Sequence, residues 1–243
     1  MEKRKPRQPK LQKKAVVHPQ SAAAVRRALL RWYEEHGRSY PWRSSANVYR
    51  QVIAELLLQR TRADTVAAFF EAFIRRFPSW EAMAKAPLHD IGEFLKPIGL
   101  WKRRSASLAA LAKEMIARGG AFPETREEVQ MLPGVGQYIA NAILLFSSGN
   151  AEPLVDVNMA RVLERVFGPR RLADIRYDPY LQSLARQVTR GDRAAEVNWA
   201  ILDLAAKICT AKNPRCTECP LRRKCRFGRG LKPRTVHRCA ARQ

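Results

Sequence analysis

The chain has 243 residues, enough for one large domain or two small ones, and 46% of them are hydrophobic, so a sizeable interior can form. It contains no run of eighteen apolar residues, so no transmembrane span is expected. The 45 Lys and Arg outnumber the 22 Asp and Glu, and the net charge of +23 favours a polyanionic partner, nucleic acid before an anionic membrane surface.

Basic residues are concentrated at both ends of the chain. Residues 1–20 contain seven Lys and Arg and three prolines, and we predict a disordered arm that adds non-specific affinity for phosphates. The segment after Cys225 has the same composition and the same interpretation, with residues 228–243 as a basic tail. Because no apolar signal segment opens the sequence, we expect a cytoplasmic, nucleoid-associated protein.

Between these ends the hydrophobic pattern has a helical period throughout. No alternating run is long enough for a sheet, so the predicted fold class is all-α. We predict helices over residues 21–36, 48–59, 61–76, 80–86, 89–96, 102–118, 124–131, 138–147, 157–167, 180–189 and 193–209.

A glycine-containing turn joins two of these helices in the sequence Leu-Pro-Gly-Val-Gly-Gln-Tyr-Ile-Ala-Asn-Ala, residues 132–142. Gly134 and Gly136 allow a tight turn and bring backbone N–H groups close to an anion at the N-terminus of the second helix. Such geometry suits a DNA phosphate, and the pattern matches a helix–hairpin–helix. A plain helix-turn-helix is the structural alternative.

Asp156 lies in the motif Leu-Val-Asp-Val-Asn-Met-Ala-Arg, residues 154–161. It follows two apolar residues and precedes a predicted helix, so an N-cap is its ordinary role. A carboxylate fixed in this way can also stabilise positive charge that develops in a transition state.

Four cysteines form the pattern C-x6-C-x2-C-x5-C near the C-terminus: Cys209, Cys216, Cys219 and Cys225. A compact set of four thiolates suits a [4Fe–4S] cluster, which we favour over zinc because zinc sites usually separate two C-x2-C pairs. Disulfides would imply secretion. Cys239 is left over and is most simply a free thiol.

The hairpin, the Asp-x-Asn motif and the cysteine pattern occur together in one known order. Over residues 21–227 the chain resembles the endonuclease III / MutY superfamily of helix–hairpin–helix DNA glycosylases. The resemblance implies that Asp156 stabilises the sugar cation while the N-glycosidic bond breaks and accepts a proton from water, with Asn158 orienting it. Bifunctional members have a lysine where this chain has Tyr138, so the resemblance implies base removal without strong lyase activity.

Two segments resemble the MutY branch in particular: Tyr-Pro-Trp-Arg at 40–43 and Ala-Glu-Leu-Leu-Leu-Gln-Arg-Thr at 54–61. Glu55 lies in an otherwise apolar helix, where a buried carboxyl group is costly unless it is paired or used. We therefore predict that Glu55 is an acid that protonates or hydrogen-bonds the departing base. The alternatives are an exposed helix charge for Glu55 and a packing aromatic for Tyr138.

The resemblance also implies contacts with double-stranded DNA. Gln59 fills the gap left by a flipped nucleotide, and Leu100 enters the base stack as a wedge, although an ordinary core position is the alternative for Leu100. Arg222 and Arg223 lie beside the cluster ligands and are expected to bind phosphates. Relatives often hold a monovalent cation on the hairpin carbonyls.

The implied architecture has two helical subdomains with a cleft between them. Residues 46–155 would form a barrel-like domain that contains the hairpin, and residues 21–45 with 156–227 would form the iron–sulfur domain. Asp156 then lies at the junction, where a flipped nucleotide would enter. We expect a monomer.

The base that is removed stays open at this point. Residues 98–106 lack the Gly-x-Gly-Tyr-Tyr pattern of MutY, and Asp-Val-Asn at 156–158 departs from its Asp-Gly-Asn. MutY proteins usually carry a further domain after the cluster, whereas this chain ends 18 residues past Cys225. These departures favour the MIG-type mismatch glycosylases, which remove thymine or uracil opposite guanine. A MutY-like adenine glycosylase acting opposite guanine or 8-oxoguanine is the alternative, and a non-catalytic DNA-binding module is the second.

Overall fold

The structure is a computed structural model that describes residues 19–230. Its twelve α-helices in this range are α1 (Pro19–His36), α2 (Val48–Leu58), α3 (Ala63–Arg76), α4 (Trp80–Lys85), α5 (Leu88–Leu95), α6 (Trp101–Ala117), α7 (Arg126–Met131), α8 (Gln137–Ser147), α9 (Val157–Phe167), α10 (Pro179–Thr189), α11 (Ala194–Lys207) and α12 (Arg226–Gly230). No strand occurs in the described range, so the all-α prediction is confirmed. No helix there is long and apolar enough to cross a membrane.

Side-chain caps define where several helices begin. Asn47, Ser79, Thr125 and Asp178 each accept a hydrogen bond from a backbone N–H of the first helical turn. The bounds of α1 to α11 lie within two residues of the predicted ones. A difference of one or two residues is no larger than the usual uncertainty in assigning the end of a helix.

A first hydrophobic cluster is formed by helices α2 to α8. Its largest fully buried side chains include Phe70, Phe73 and Phe77. Phe73 and Phe77 are tilted against each other and pack edge to face with Phe94, while Phe70 packs edge to face with Trp42. Tyr40 and Trp42, from the loop before α2, stack on each other and belong to this cluster.

A second hydrophobic cluster is formed by α1, α9, α10 and α11 together with Leu221 and Cys225. The described part of the chain therefore begins in the second cluster, forms the first, and returns to the second after α8. A small third cluster, made of Ala142, Leu145, Leu154 and Ala194, joins α8 to the start of α11. The predicted domain bounds at residues 45 and 155 stay predictions, although both segments where the chain crosses between the clusters are near them.

Two short helices were not expected. A 3-10 helix, Lys96–Ile98, links α5 to α6. The prediction of disorder directly after Cys225 is wrong for residues 226–230, because the backbone N–H of Gly228 donates to the Cys225 sulfur and Arg226 donates to the carbonyl of Phe167. The predicted arm up to residue 18 and the basic tail from residue 231 lie outside the described residues.

Candidate active site

A cleft of about 1230 Å³ is lined by residues from both large hydrophobic clusters. It is large enough to admit a nucleotide, since pockets for small ligands typically occupy several hundred Å³. Seven of the predicted site residues line it: Glu55, Gln59, Gly134, Gly136, Tyr138, Asp156 and Asn158. The remaining ones, Leu100, Arg222, Arg223 and the four cysteines, lie elsewhere.

Glu55 is buried in α2 and faces the hairpin helix α8. Tyr138 donates its hydroxyl hydrogen to Oε2 of Glu55 at 3.0 Å, across a sequence separation of 83 residues. Burial raises the pKa of Glu55 to about 7 and the charge of Asp156 adds to this rise, while the hydrogen bond from Tyr138 and the charge of Arg43 oppose it. The exposed-charge alternative for Glu55 is therefore wrong, and the carboxyl can hold a proton near neutral pH.

Tyr138 is the partner that keeps Glu55 in place. Burial raises the pKa of the phenol well above its usual value, and the nearby carboxylates of Glu55 and Asp156 raise it further. The phenol therefore stays protonated and acts as a hydrogen-bond donor. It offers no amine to a sugar aldehyde.

Asp156 is the N-cap of α9 and also lines the cleft. Its Oδ1 accepts from the backbone N–H groups of Asn158 at 2.9 Å and Met159 at 2.7 Å, and its Oδ2 accepts from the Asn158 side chain at 2.6 Å. Both oxygens are hydrogen-bond acceptors in this arrangement. The carboxylate is thus fixed in position, and it is suited to stabilise positive charge or to receive a proton.

Arg161 determines which way the amide of Asn158 points. Its Nη1 donates to Asn158 Oδ1 at 3.1 Å, so the amide nitrogen of Asn158 must face Asp156. The same guanidinium donates to the carbonyls of Cys209 at 2.9 Å and Ala205 at 3.2 Å. A short chain of hydrogen bonds therefore links the carboxylate to the first cysteine, and the sequence interpretation missed Arg161 although it lies in the quoted motif.

The hairpin spans residues 132–136 between α7 and α8. Gly134 has a φ of +75°, and a Cβ atom added there would lie 2.9 Å from Cβ of Ser107, so glycine is required on two grounds. Gly136 has an ordinary φ of −92° and open space around it, so the fold itself does not require glycine there. It begins α8 without a side-chain cap, which leaves first-turn N–H groups available to an anion.

Gln59 and Leu100 occupy two neighbouring loops. Gln59 is exposed just after α2, and Leu100 is 49% exposed just before α6 with a left-handed φ of +53°. Leu100 belongs to none of the hydrophobic clusters, so the core alternative for this residue is wrong. Its place outside the cleft leaves its apolar side chain open to a partner.

A buried ion pair beside the cleft was not expected. Asp203 of α11 is fully buried and accepts from Arg43 at 2.8 and 3.0 Å and from the side chain and backbone of Arg38, both at 2.7 Å. The Arg43 guanidinium lies over the rings of Tyr40 and Trp199. The sequence contained a signal for this pair, because Asp203 is an acidic residue in the apolar stretch that precedes Cys209. The same kind of signal identified Glu55.

The four cysteines line one small cavity next to α9 and α12. Arg165 Nη1 donates to the sulfur of Cys209 at 3.4 Å, and the backbone N–H of Gly228 donates to that of Cys225 at 3.3 Å. Burial raises the pKa of Cys219 to about 11, and the neighbouring cysteines contribute. Within residues 19–230 no three His, Cys, Asp or Glu side chains converge as ligands of a metal ion.

Comparison with known proteins identifies the family. Residues 53–187, more than half of the chain, match the model of the HhH-GPD superfamily of base excision DNA repair proteins. The chain belongs to this superfamily. The resemblance to helix–hairpin–helix DNA glycosylases is therefore confirmed, and so is the expectation of a base excision repair enzyme.

Relatives match over most of the chain. A thymine-DNA glycosylase of Aeropyrum pernix is 42% identical over 83% of this chain and 93% of its own length. A thymine/uracil-DNA glycosylase of Pyrobaculum aerophilum is 38% identical over 81% and 87%. A human adenine DNA glycosylase is 32% identical over 84% of this chain and 39% of its own. The structure of a thermostable thymine-DNA glycosylase superposes with a TM-score of 0.81 at 29% identity, over 87% of this chain and 98% of its own.

Proposed function

We propose that this superfamily member is a monofunctional glycosylase that removes thymine or uracil opposite guanine from double-stranded DNA, acting as a monomer. The observation that carries the proposal is the pairing of two different carboxyl groups at one cleft. Glu55 can hold a proton near neutral pH, whereas Asp156 is surrounded by hydrogen-bond donors. Two groups with opposed environments provide an acid and a negative charge for one reaction.

In the proposed mechanism a flipped nucleotide enters the cleft and its sugar faces Asp156. Protonated Glu55 donates a hydrogen bond or a proton to the departing base, so the bond between C1′ and nitrogen breaks with less negative charge on the base. Asp156 stabilises the positive charge on the sugar and takes a proton from the attacking water. Tyr138 holds Glu55 in place, and Asn158, fixed by Arg161, orients Asp156.

The preference for thymine or uracil is supported by similarity along nearly the whole length of the two glycosylases that act on these bases. Similarity to the adenine glycosylase covers less than half of that protein. Val157, where MutY has glycine, is 68% exposed and lines the cleft.

Single-turnover excision on four duplexes tests both the activity and the base. The duplexes contain G·T, G·U, G·A and 8-oxoguanine·A pairs, and we expect release of thymine and uracil. Asp156→Asn keeps an N-cap and should lower the rate by at least about 100-fold while DNA binding persists. Asp90→Asn, at a partly exposed site on α5 that does not line the cleft, is the matched control and should leave the rate unchanged. Release of adenine alone would overturn the base assignment, and an unchanged rate in Asp156→Asn would overturn the mechanism.

Tyr138 supports the absence of strong lyase activity. Strand cleavage of the lyase type needs an amine that forms a Schiff base with the sugar, and a phenol cannot form one. Reduction with borohydride during turnover should therefore trap no protein–DNA adduct. A trapped adduct at high yield would show that another amine attacks the sugar.

We also propose that Cys209, Cys216, Cys219 and Cys225 hold a [4Fe–4S] cluster. The support is that all four cysteines line one cavity and that two of the sulfurs accept N–H groups. These four cysteines would hold the cluster, and a bound cluster would cross-link the loop of residues 209–225. Arg222 lines the cavity and Arg223 is exposed on the same loop, so the loop is suited to bind DNA phosphates.

A further inference from the structure

Arg104 of α6 is a buried arginine without a carboxylate partner among the described residues. It is 7% exposed, and every hydrogen bond of its guanidinium ends on a neutral oxygen. Burial lowers its pKa, as expected for a cation that leaves water. A buried charge of this kind is costly unless polar groups replace its hydration.

The oxygen atoms that accept hydrogen bonds from Arg104 belong to two separate loops. Nη1 donates to the carbonyls of Ile98 at 2.8 Å and Gly99 at 2.7 Å. Nη2 donates to the carbonyls of Leu57 and Gln59, at 3.1 and 2.5 Å, and to the hydroxyl of Thr61 at 2.6 Å. One planar group therefore joins the loop after α2 to the loop before α6.

These acceptors also explain why the cation is stable in the interior. Leu57 lies in the last turn of α2, and Ile98 ends the 3-10 helix, so both carbonyls lack a partner within their own helix. The carbonyl ends of helices have partial negative charge, which favours a cation there. A lysine would place a single nitrogen where the arginine places two.

Both loops contain backbone conformations that side chains rarely adopt. Arg60 has a φ of +58° and Leu100 a φ of +53°. Next to Arg60 is the exposed Gln59, and Leu100 is itself half exposed. The positions of Gln59 and Leu100 therefore depend on strained backbone conformations, which persist only where the surrounding structure holds them.

We propose that Arg104 is a positioning residue that holds the loops of residues 58–62 and 98–100 as one unit, so that Gln59 and Leu100 enter the duplex together when the target nucleotide is extruded. The inference rests on the proposed function and deepens it. Arg104 touches no substrate in this role. It acts through the two loops, because displacement of either loop by about 1 Å is enough to slow a positioned reaction about 100-fold.

Two substrates separate positioning from a general structural role. One duplex pairs uracil with guanine, and the other places uracil opposite an abasic analogue, so that there is no base pair to break. We expect Arg104→Lys and Arg104→Met to slow single-turnover excision from G·U about 100-fold, with a loss below about 10-fold on the unpaired substrate. Lys113→Met, at an exposed site on the same helix, is the matched control and should change neither rate.

A fluorescent base placed next to the target reports unstacking without any need for excision. Wild-type protein should raise its fluorescence on binding, and both Arg104 variants should lose most of this rise while circular dichroism stays unchanged. Equal losses of rate on both substrates, or an unchanged fluorescence rise, would overturn the inference. Should Arg104→Met fail to fold, Arg104→Lys and Thr61→Val, which removes one acceptor, give the same readouts. Wild-type protein that unstacks the duplex but releases no base would refute the proposed function and leave the loop inference standing.

Discussion

At the scale of single residues, the site depends on carboxyl groups with contrasting surroundings. Glu55 has lost its hydration, and a single phenol replaces it. Asp156 instead receives three N–H groups. Since Arg161 can only donate, the orientation of Asn158 is determined and the chain of hydrogen bonds runs one way, towards Asp156.

Replacement of Glu55 should separate activity from stability. The pKa of Glu55 is about 7 in the folded protein and near 4.5 when exposed, so the folded state binds the proton more tightly. The free energy of unfolding therefore falls as pH rises from about 4.5 to about 7, and a penalty of about 3 kcal/mol remains above pH 7. We expect Glu55→Gln to be more stable than wild type at pH 8, by urea unfolding, and to excise bases at least about 100-fold more slowly.

The same proton should shape the pH dependence of the wild-type enzyme. In the proposed mechanism only the protonated form is active, so single-turnover excision should decline about tenfold per pH unit above about pH 7. Glu114→Gln, which alters a partly exposed carboxyl on α6 outside the cleft, is the control for both measurements and should follow the wild type. A wild-type excision rate that does not change between pH 6 and pH 9 would show that the reaction does not depend on the protonated form of Glu55.

At the scale of secondary-structure elements, the two hairpin glycines should have different functions. Gly134→Ala forces a side chain into a left-handed conformation and against Ser107, so we expect a loss of about 1 to 3 kcal/mol in the free energy of unfolding. Gly136→Ala meets neither problem, and its loss should stay below about 1 kcal/mol. If the N-terminus of α8 binds a DNA phosphate as predicted, affinity for duplex DNA should fall in Gly136→Ala, because the new methyl group would lie in the path of that phosphate. Equal stability losses in the two variants would contradict this division.

Most helices were predictable because hydrophobic periodicity and caps are local signals. The 3-10 helix at Lys96–Ile98 and α12 were not, since their stability comes from partners elsewhere in the chain. α12 depends on a sulfur of the cysteine loop and on the carbonyl of Phe167. A composition rich in arginine and glycine gives no hint of either contact.

At the scale of the whole molecule, Asp203 connects the two large clusters. It lies on α11 of the second cluster and binds Arg38 and Arg43, which flank Tyr40 of the first. The location of the cleft is therefore maintained by a buried ion pair as well as by apolar packing. Such a pair is fragile, because removal of one partner leaves the other charge buried.

Asp203→Ala should accordingly lower the free energy of unfolding by about 3 to 5 kcal/mol. Asp90→Ala breaks an exposed pair with Arg76 and should cost less than about 1 kcal/mol, so it is the matched control. Denaturant unfolding of both variants measures the difference. Similar losses in the free energy of unfolding for Asp203→Ala and Asp90→Ala would contradict the prediction and show that Arg43 is not left buried without a partner.

Sequence reasoning identified the candidate catalytic residues of the cleft better than the residues that hold them in place. Glu55, Tyr138 and Asp156 were found because their motifs are local and chemically specific. Arg104, Arg161 and Asp203 were missed because their partners are backbone carbonyls or side chains far away in sequence. Among 45 Lys and Arg residues the sequence does not distinguish a buried arginine such as Arg104 from an exposed one, and its burial is seen only in the structure.

Leu100 keeps an apolar side chain in water on a backbone that suits glycine or asparagine better. Replacement of Leu100 by glycine or asparagine should stabilise the free protein, because it would remove both the backbone strain and the exposed apolar side chain. Leucine at this position therefore lowers the stability of the free protein, and in the proposed function this loss is recovered only while the side chain lies between stacked bases.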